Sequence, residues 1–340
     1  MKKILITSVL LISFQAASAQ SNATLYGFID TGLVSASQVY DRSTGKSGTQ
    51  FMMGDGISQG TSRFGLTGSE DLGSGLSAIY KLEAGFDTPN GQLAGTALFN
   101  RGSWVGLNGK FGSVTLGRQW NLSDDTMVGS FFRGGYNLSV FRLTGFDEVS
   151  DLVDNAIKYK TPTIAGLQAS ALYAPGGVPG SRGANQVVEA ALAYGNGPFN
   201  FGAVYHKRND AVAPFASELW EIGANYSFGA VRVRGGYANS RYPLGDGTFS
   251  RAMVYGVGLD YTVTPALVLA GDAVLRKRAG TSDSASFLRL TADYSLSKRT
   301  GVFTNVGLLK NHDLSAESFY GDGMPGQSQV VLNVGIRHGF

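Results

Sequence analysis

The side chains that could do chemistry are few: 16% of the residues are charged and three are histidines. Nucleophilic catalysis needs a serine, a histidine and a carboxylate brought together, and His206, His312 and His338 each stand apart from any nucleophile signature. The same isolation denies them the spacing of metal ligands. No catalytic residue, metal site or cofactor is expected, and the chain does not read as an enzyme. It has no cysteine, so disulfides and attachment of a lipid through an N-terminal cysteine are excluded. What remains is charge that alternates with apolar residues. In Leu76 to Ala84, Lys81 and Glu83 share one face with Ser77 and Ile79, while Leu76, Ala78, Tyr80 and Leu82 share the other. Charges two residues apart on a strand point the same way, which lines a polar surface.

Such a surface has to be carried by strands, and two-residue alternation recurs along the chain while helical spacing is nowhere sustained. Trp220, Ile222, Ala224, Tyr226 and Phe228 oppose Glu221, Gly223, Asn225 and Ser227. Leu288, Leu290, Ala292 and Tyr294 oppose Arg289, Thr291 and Asp293, and Val330, Leu332, Val334 and Ile336 oppose Asn333, Gly335 and Arg337. Alternation alone fits a soluble sandwich as well as a membrane barrel. Three further features favour the barrel.

The runs are about ten residues long, and their connections alternate short and long, as in a barrel with tight periplasmic turns and longer outer loops. Glu70 to Gly75, Asn108 to Gly112, Thr161 to Gly166, Gly195 to Pro198, Phe228 to Ala230, Val263 to Pro265 and Ser297 to Thr300 are short. Tyr40 to Gly60, Thr88 to Ala97, Asn121 to Asp151, Gly176 to Ala184, Asn209 to Ala216, Pro243 to Phe249, Gly280 to Ser284 and Asp313 to Gln327 are long. Seven short and eight long connections separate sixteen strands. Second, aromatic residues such as Phe86, Tyr173, Tyr194, Phe199, Tyr205, Tyr226, Phe228 and Tyr261 gather at strand ends, consistent with girdles at two membrane interfaces. Third, the last alternating strand finishes on Phe340, as expected where it must close against the first so that no backbone group is left unpaired in lipid. An even count near sixteen leaves an aqueous lumen.

Residues 1–19 read as a cleaved export signal: Lys2 and Lys3, an apolar stretch from Ile4 to Phe14, and the small-residue site Ala17-Ser18-Ala19. That stretch is shorter than the roughly 20 residues a spanning helix needs. Its removal takes away two lysines, so the formal net charge of +3 becomes +1. Lysine and arginine are scattered singly, without the basic stripe of a nucleic-acid binder. Residues 20–340 read as one unit, rich in Gly (48), Phe (20) and Tyr (15).

Several segments, taken in order, resemble the trimeric Gram-negative general porins, most closely their beta-proteobacterial branch. They are Thr24-Leu25-Tyr26-Gly27-Phe28-Ile29-Asp30, Ser62 to Gly73, Lys81 to Phe86, Val105-Gly106-Leu107, Phe111 to Gln119, Asp154 to Tyr159 and Gly335 to Phe340. The resemblance covers the whole mature chain. It implies an all-β protein, a 16-stranded antiparallel transmembrane β-barrel in the outer membrane, whose third long loop folds inward and narrows the bore. Asn121 to Asp151, the longest connection, holds that place. The implied function is passive diffusion of small hydrophilic solutes and ions.

Within this frame, alternation places Arg63, Lys81 and Glu83 on the lumen side, and the resemblance adds Arg101 as a constriction arginine. The opposing wall of the constriction would come from loop acids, Asp124, Asp125, Asp147, Glu148 and Asp151, in a segment that also holds Arg133 and Arg142. Facing walls of opposite charge bias ions by their field. The alternative, lumen arginines paired to carboxylates with no constriction role, stays open. The chain departs from enteric relatives at Phe28, where they have a lysine, and at Leu152, often an arginine, and it lacks their acidic loop motif; the sign of ion preference is therefore open. Arg118 falls by parity on the outer face, as a latch or subunit contact. The resemblance further implies a homotrimer, with Thr88 to Ala97 reaching the next subunit, and outer-membrane lipid and lipopolysaccharide as surroundings. Rival readings are a substrate-specific channel, for which the inward aromatics Tyr26 and Phe28 are few, and an adhesin or receptor barrel using its long loops.

Overall fold

A computed structural model describes residues 21–58, 60–127, 152–211, 215–244 and 246–340. Its strands begin with β1 (Ser21–Asp41), β2 (Lys46–Asp55), β3 (Arg63–Gly73), β4 (Leu76–Gly85), β5 (Gly102–Gly109) and β6 (Gly112–Trp120), followed by a short helix, α1 (Leu122–Thr126). Then come β7 (Leu152–Lys160), β8 (Leu167–Ala174), β9 (Val187–Asn196), β10 (Phe199–Asn209), β11 (Ala216–Phe228) and β12 (Val231–Pro243). The chain finishes with β13 (Phe249–Thr262), β14 (Leu267–Arg278), β15 (Ser284–Ser295), β16 (Thr300–His312) and β17 (Ser328–Gly339).

All pair antiparallel in one sheet of seventeen strands that closes on itself. β1 makes the closure. Its residues Phe28 to Ala36 pair with β17 from Gly339 back to Val331, and Gly27 and Phe340 exchange backbone bonds of 3.1 and 3.0 Å at the seam. On the other side, Ser21 to Phe28 pairs with β3 and Thr31 to Asp41 with β2. β2 and β3 thus lie end to end in one position of the wall, and the barrel has sixteen positions.

That arrangement corrects the sequence reading of Tyr40 to Gly60 as a loop. Lys46–Asp55 is strand, folded back on β1. The reversal uses Gly45 at φ 68°, a left-handed conformation that glycine adopts without cost, and Asp41, whose Oδ1 accepts from the backbone nitrogen of Ser43 at 2.8 Å. Phe51 and Met53 point outward, 70% and 53% exposed, while Met52 packs inward. The alternation was there, hidden among polar residues and glycine.

The distribution of side chains is inverted relative to a water-soluble fold. Trp220, Val257 and Leu25 are exposed on the outer surface, while Glu83, Glu189, Glu221, Arg234, Asp272 and Arg289 are buried toward the inside. Exposed apolar area on this scale marks a surface that meets something other than water. Among the described residues no helix is long and apolar enough to cross a membrane; strands are the spanning elements, and closure of the sheet gives every strand a neighbour on both sides for its backbone polar groups.

Among the described residues, two segments enter the interior. α1 lies against β8, β9 and β10, with Leu122 and Met127 fully buried in a cluster with Val153, Leu172, Val187 and Val204. At the other side, the connection between β16 and β17 folds inward, Phe319 meeting Phe287 of β15 with ring centroids 4.8 Å apart. Gln329 fixes it, its Oε1 accepting from the nitrogen of Phe319 at 2.8 Å and its Nε2 donating to the carbonyl of Tyr320 at 3.0 Å.

Candidate functional site

The inward charges of the first strands converge on one carboxylate. Glu83 of β4 lies 3.0 Å from Nζ of Lys81, 3.1 Å from Nε of Arg101 and 3.9 Å from Nε of Arg63. It also accepts from the hydroxyl of Tyr26 at 2.7 Å. Arg63, Lys81, Glu83 and Arg101 are therefore one cluster, brought together from β3, β4 and the approach to β5. Three cations share one carboxylate, so the cluster carries two positive charges in excess.

Aromatic faces hold these cations in place. Arg63 lies 4.8 Å from the centroid of Phe28, Lys81 5.7 Å from Tyr26 and Arg101 4.8 Å from Trp120, distances at which a ring face attracts a cation. Arg101 precedes its strand, and its direction is set by its neighbour. The Asn100 amide accepts from the nitrogen of Gly85 at 2.6 Å and donates to the carbonyl of Gly85 at 3.1 Å. Gly85 itself leaves room, since a Cβ there would stand 2.8 Å from Cδ of Arg101.

Asp124 and Asp125 lie on α1, away from that cluster. The backbone nitrogen of Asp124 donates to Oδ1 of Asn121 at 2.7 Å and caps the helix. Asp125 pairs with Nζ of Lys158 at 2.7 Å and of Lys160 at 2.9 Å. Burial pushes the Asp125 carboxyl up, but the two lysines outweigh it and hold it below the usual carboxylate range. Lys158 and Lys160 went unassigned in the sequence, although their two-residue spacing on β7 puts them on one face. Asp147, Glu148 and Asp151 lie outside the described residues, as do Arg133 and Arg142.

Two buried carboxylates anchor the start of the inward segment. Glu189 of β9 accepts from the nitrogen of Leu122 at 2.6 Å and lies 2.6 Å from Nδ1 of His206. Glu221 of β11 accepts from the hydroxyl of Ser123. Farther round, Asp260 meets Nε of Arg232 at 2.7 Å and Arg234 at 2.9 Å, and Asp272 meets Arg234 at 2.8 Å and Nε of Arg289 at 3.1 Å. This second network was legible only as inward parity. A Cβ at Gly258 would stand 2.5 Å from Oδ1 of Asp272 and 2.8 Å from Cζ of Arg234, so the glycine makes space for it.

Arg118 points outward and binds Asp154 and the carbonyl of Asn100, the latter at 3.3 Å. The sequence also holds a Gly-x-Ser-x-Gly run, Gly56 to Gly60, a pattern that carries a nucleophile in other folds. Here the Ser58 hydroxyl donates at 2.7 Å to buried Asp30, which also accepts from the Ser58 nitrogen at 2.9 Å. That is the bonding of a structural turn. Among the described residues no cluster of His, Asp and Glu could hold a metal ion.

A closed barrel with an apolar exterior and a charged interior defines a β-barrel membrane channel. The chain belongs to the Gram-negative porin family, whose model matches residues 7–314, and it is an outer-membrane porin, a passive channel for small hydrophilic solutes. It is 30% identical to outer membrane porin protein 32 of Delftia acidovorans and 29% identical to an outer membrane porin protein of Bordetella pertussis, each alignment covering 100% of both chains. The anion-selective porin from Comamonas acidovorans has a solved structure that superposes with a TM-score of 0.81 at 27% identity, over 94% of this chain and 100% of that one. The expected family and barrel both hold, and proteins of this family are channels.

Proposed function

We propose that Arg63, Lys81 and Arg101, gathered on Glu83, form the basic wall of the pore constriction and give the channel a preference for anions. The observation that carries this is the stoichiometry, three cations to one carboxylate. Asp125 does not offset it, being neutralised by Lys158 and Lys160. The Comamonas relative, an anion-selective porin, agrees in sign. A unit charge about 4 Å away in bulk-like water is worth roughly 1 kcal/mol, so the wall biases ions and does not hold them. Asp147, Glu148 and Asp151 would complete the constriction from the inward loop. Reversal potentials across a chloride gradient test the reading. Arg63→Gln and Arg101→Gln should each move the potential toward the non-selective value, and an unchanged potential in both overturns it.

The working unit we infer is a homotrimer, exported with removal of residues 1–19. The segment Thr88 to Ala97 is tied to its own barrel, with Thr88 donating to Asp55 at 3.0 Å, and the exposure of its tip supports a role in contacting a neighbour. Deleting residues 89–96 should lower the temperature at which the oligomer dissociates in SDS gels. An unchanged melting band would remove that role.

A further inference from the structure

The inward connection between β16 and β17 is built as a closed lobe. A Cβ at Gly323 would overlap the carbonyl oxygen of Ala316, so the chain meets itself there and residues 317–322 project as one unit. Asn311 of β16 is the clasp. Its Oδ1 accepts from the nitrogen of Glu317 at 3.0 Å and from the hydroxyl of Ser315 at 3.1 Å. Its Nδ2 donates to the carbonyls of Glu317 at 2.8 Å and Gln327 at 2.7 Å. One buried amide thus holds both arms of the connection.

The wall beneath the lobe is shaped to receive it. A water-filled bore is lined by polar residues, yet Val274, Phe287 and Leu309, inward and opposite one another on β14, β15 and β16, are apolar and buried. Val331 of β17 joins them in one cluster. Phe319 of the lobe covers this patch and is itself 2% exposed. Without the lobe the patch would face water, and removal of its apolar area from water favours the seated position. Two polar ties fix where the lobe sits along the wall. Glu317 pairs with Arg276 of β14, two strands beyond β16. On the other flank the nitrogen of Asp322 donates to the carbonyl of Tyr40 at 3.2 Å, and its carboxylate lies 3.5 Å from Arg42. Because α1 enters at β8–β10 and the basic cluster stands on β3 and β4, the lobe narrows the bore from a third sector of the ring.

We propose that residues 317–322 set the size limit of the pore for uncharged solutes, with Phe319 as the seat of the lobe and Arg276 as the residue that positions it. The class of solute follows from the chemistry. A neutral polyhydroxylated molecule carries no net charge for the field of the basic cluster to act on, so its passage is decided by the width left between the walls. A lobe seated by an aromatic ring and tied on both flanks is a fixed wall. The inference goes beyond the anion preference and does not depend on it.

Liposome swelling with the full-length mature protein tests it, using arabinose, sucrose, raffinose and stachyose as neutral probes of rising size. Dividing each rate by that for arabinose removes differences in channel number. Phe319→Ser, Arg276→Gln and deletion of residues 317–322 should each raise the raffinose and stachyose ratios several-fold, the deletion most. The deletion joins Ala316 to Gly323, which already touch, and heat-shifted migration in SDS gels reports whether each barrel is folded. Exchanging the paired charges, Arg276→Glu together with Glu317→Arg, should return the ratios toward those of the parent, a rescue that an arginine serving only the wall would not give. Reversal potentials read the basic cluster separately, so this proposal and the constriction reading can fail apart. Parent-like ratios in the folded deletion variant would overturn the size-limiting role, and parent-like ratios in Arg276→Gln would overturn the positioning role.

Discussion

Glu189 accepts a hydrogen bond of 2.6 Å from the backbone nitrogen of Leu122, the first residue of α1. The carboxylate is buried, and its other oxygen lies 2.6 Å from Nδ1 of His206. One side chain on β9 therefore ties the root of the inward segment to two strands of the wall.

Removing that tie should loosen the segment. Glu189→Ala leaves a buried N–H and an imidazole nitrogen without their partner, and an unmet buried donor costs about 1–3 kcal/mol. Single-channel traces of the variant should show added current noise and brief closures, while ion preference is kept. Quiet traces identical to the parent would mean that the apolar contacts of Leu122 and Met127 suffice.

Neutralising the hub of the basic cluster acts in the opposite sense to neutralising its arms. Glu83→Gln keeps a hydrogen-bond acceptor for Tyr26 and removes the negative charge shared by Lys81, Arg101 and Arg63. Anion preference should rise, by up to about fivefold if one unit charge near the path is worth roughly 1 kcal/mol. A fall in anion preference would contradict the placement of the cluster on the permeation path.

The Asp125 carboxyl gives a pH dependence with a defined sign. Its folded value lies below the usual 3.8, so its pairs with Lys158 and Lys160 add stability that is full above that value and lost as the pH falls through the lower, folded one. Conductance and thermal stability should be flat from neutral pH down to about pH 5 as far as this group is concerned. Asp125→Asn should remove the acid-side change that the parent shows, and an unaltered acid profile would assign it to another group.

Gly258 tests the second charge network. Alanine there drives a methyl group to 2.5 Å from Oδ1 of Asp272 and 2.8 Å from Arg234, both buried. Overpacking of this kind typically costs about 1–3 kcal/mol. Heat denaturation in detergent should shift down for Gly258→Ala and hardly at all for Gly48→Ala on β2, where a Cβ would meet nothing within 4 Å. Equal shifts in the two variants would mean that the Asp272 and Arg234 side chains move aside without loss.

Much of the fold was legible because a strand's side chains repeat every two residues, so each segment declares its own faces. Trp220, Ile222 and Tyr226 are outward and exposed, and Glu221 and Asn225 are buried, as their parity requires. The sixteen wall positions also followed from counting segments and connections. β2 escaped notice because Gly48, Gly54 and polar residues dilute its alternation, and its pairing depends on β1 being long enough to serve β2, β3 and β17 together.

The site divides in the same way. That Arg63, Lys81 and Glu83 face inward is a local property, fixed by sequence. That all three meet Arg101 on one carboxylate, and that Asp125 meets Lys158 and Lys160 instead of facing that cluster, depends on how far each strand is shifted against the next. That shift is set when β17 closes on β1, and closure is a property of the whole ring. Parity is written residue by residue; the stagger that decides which inward charges become neighbours exists only once the barrel is shut.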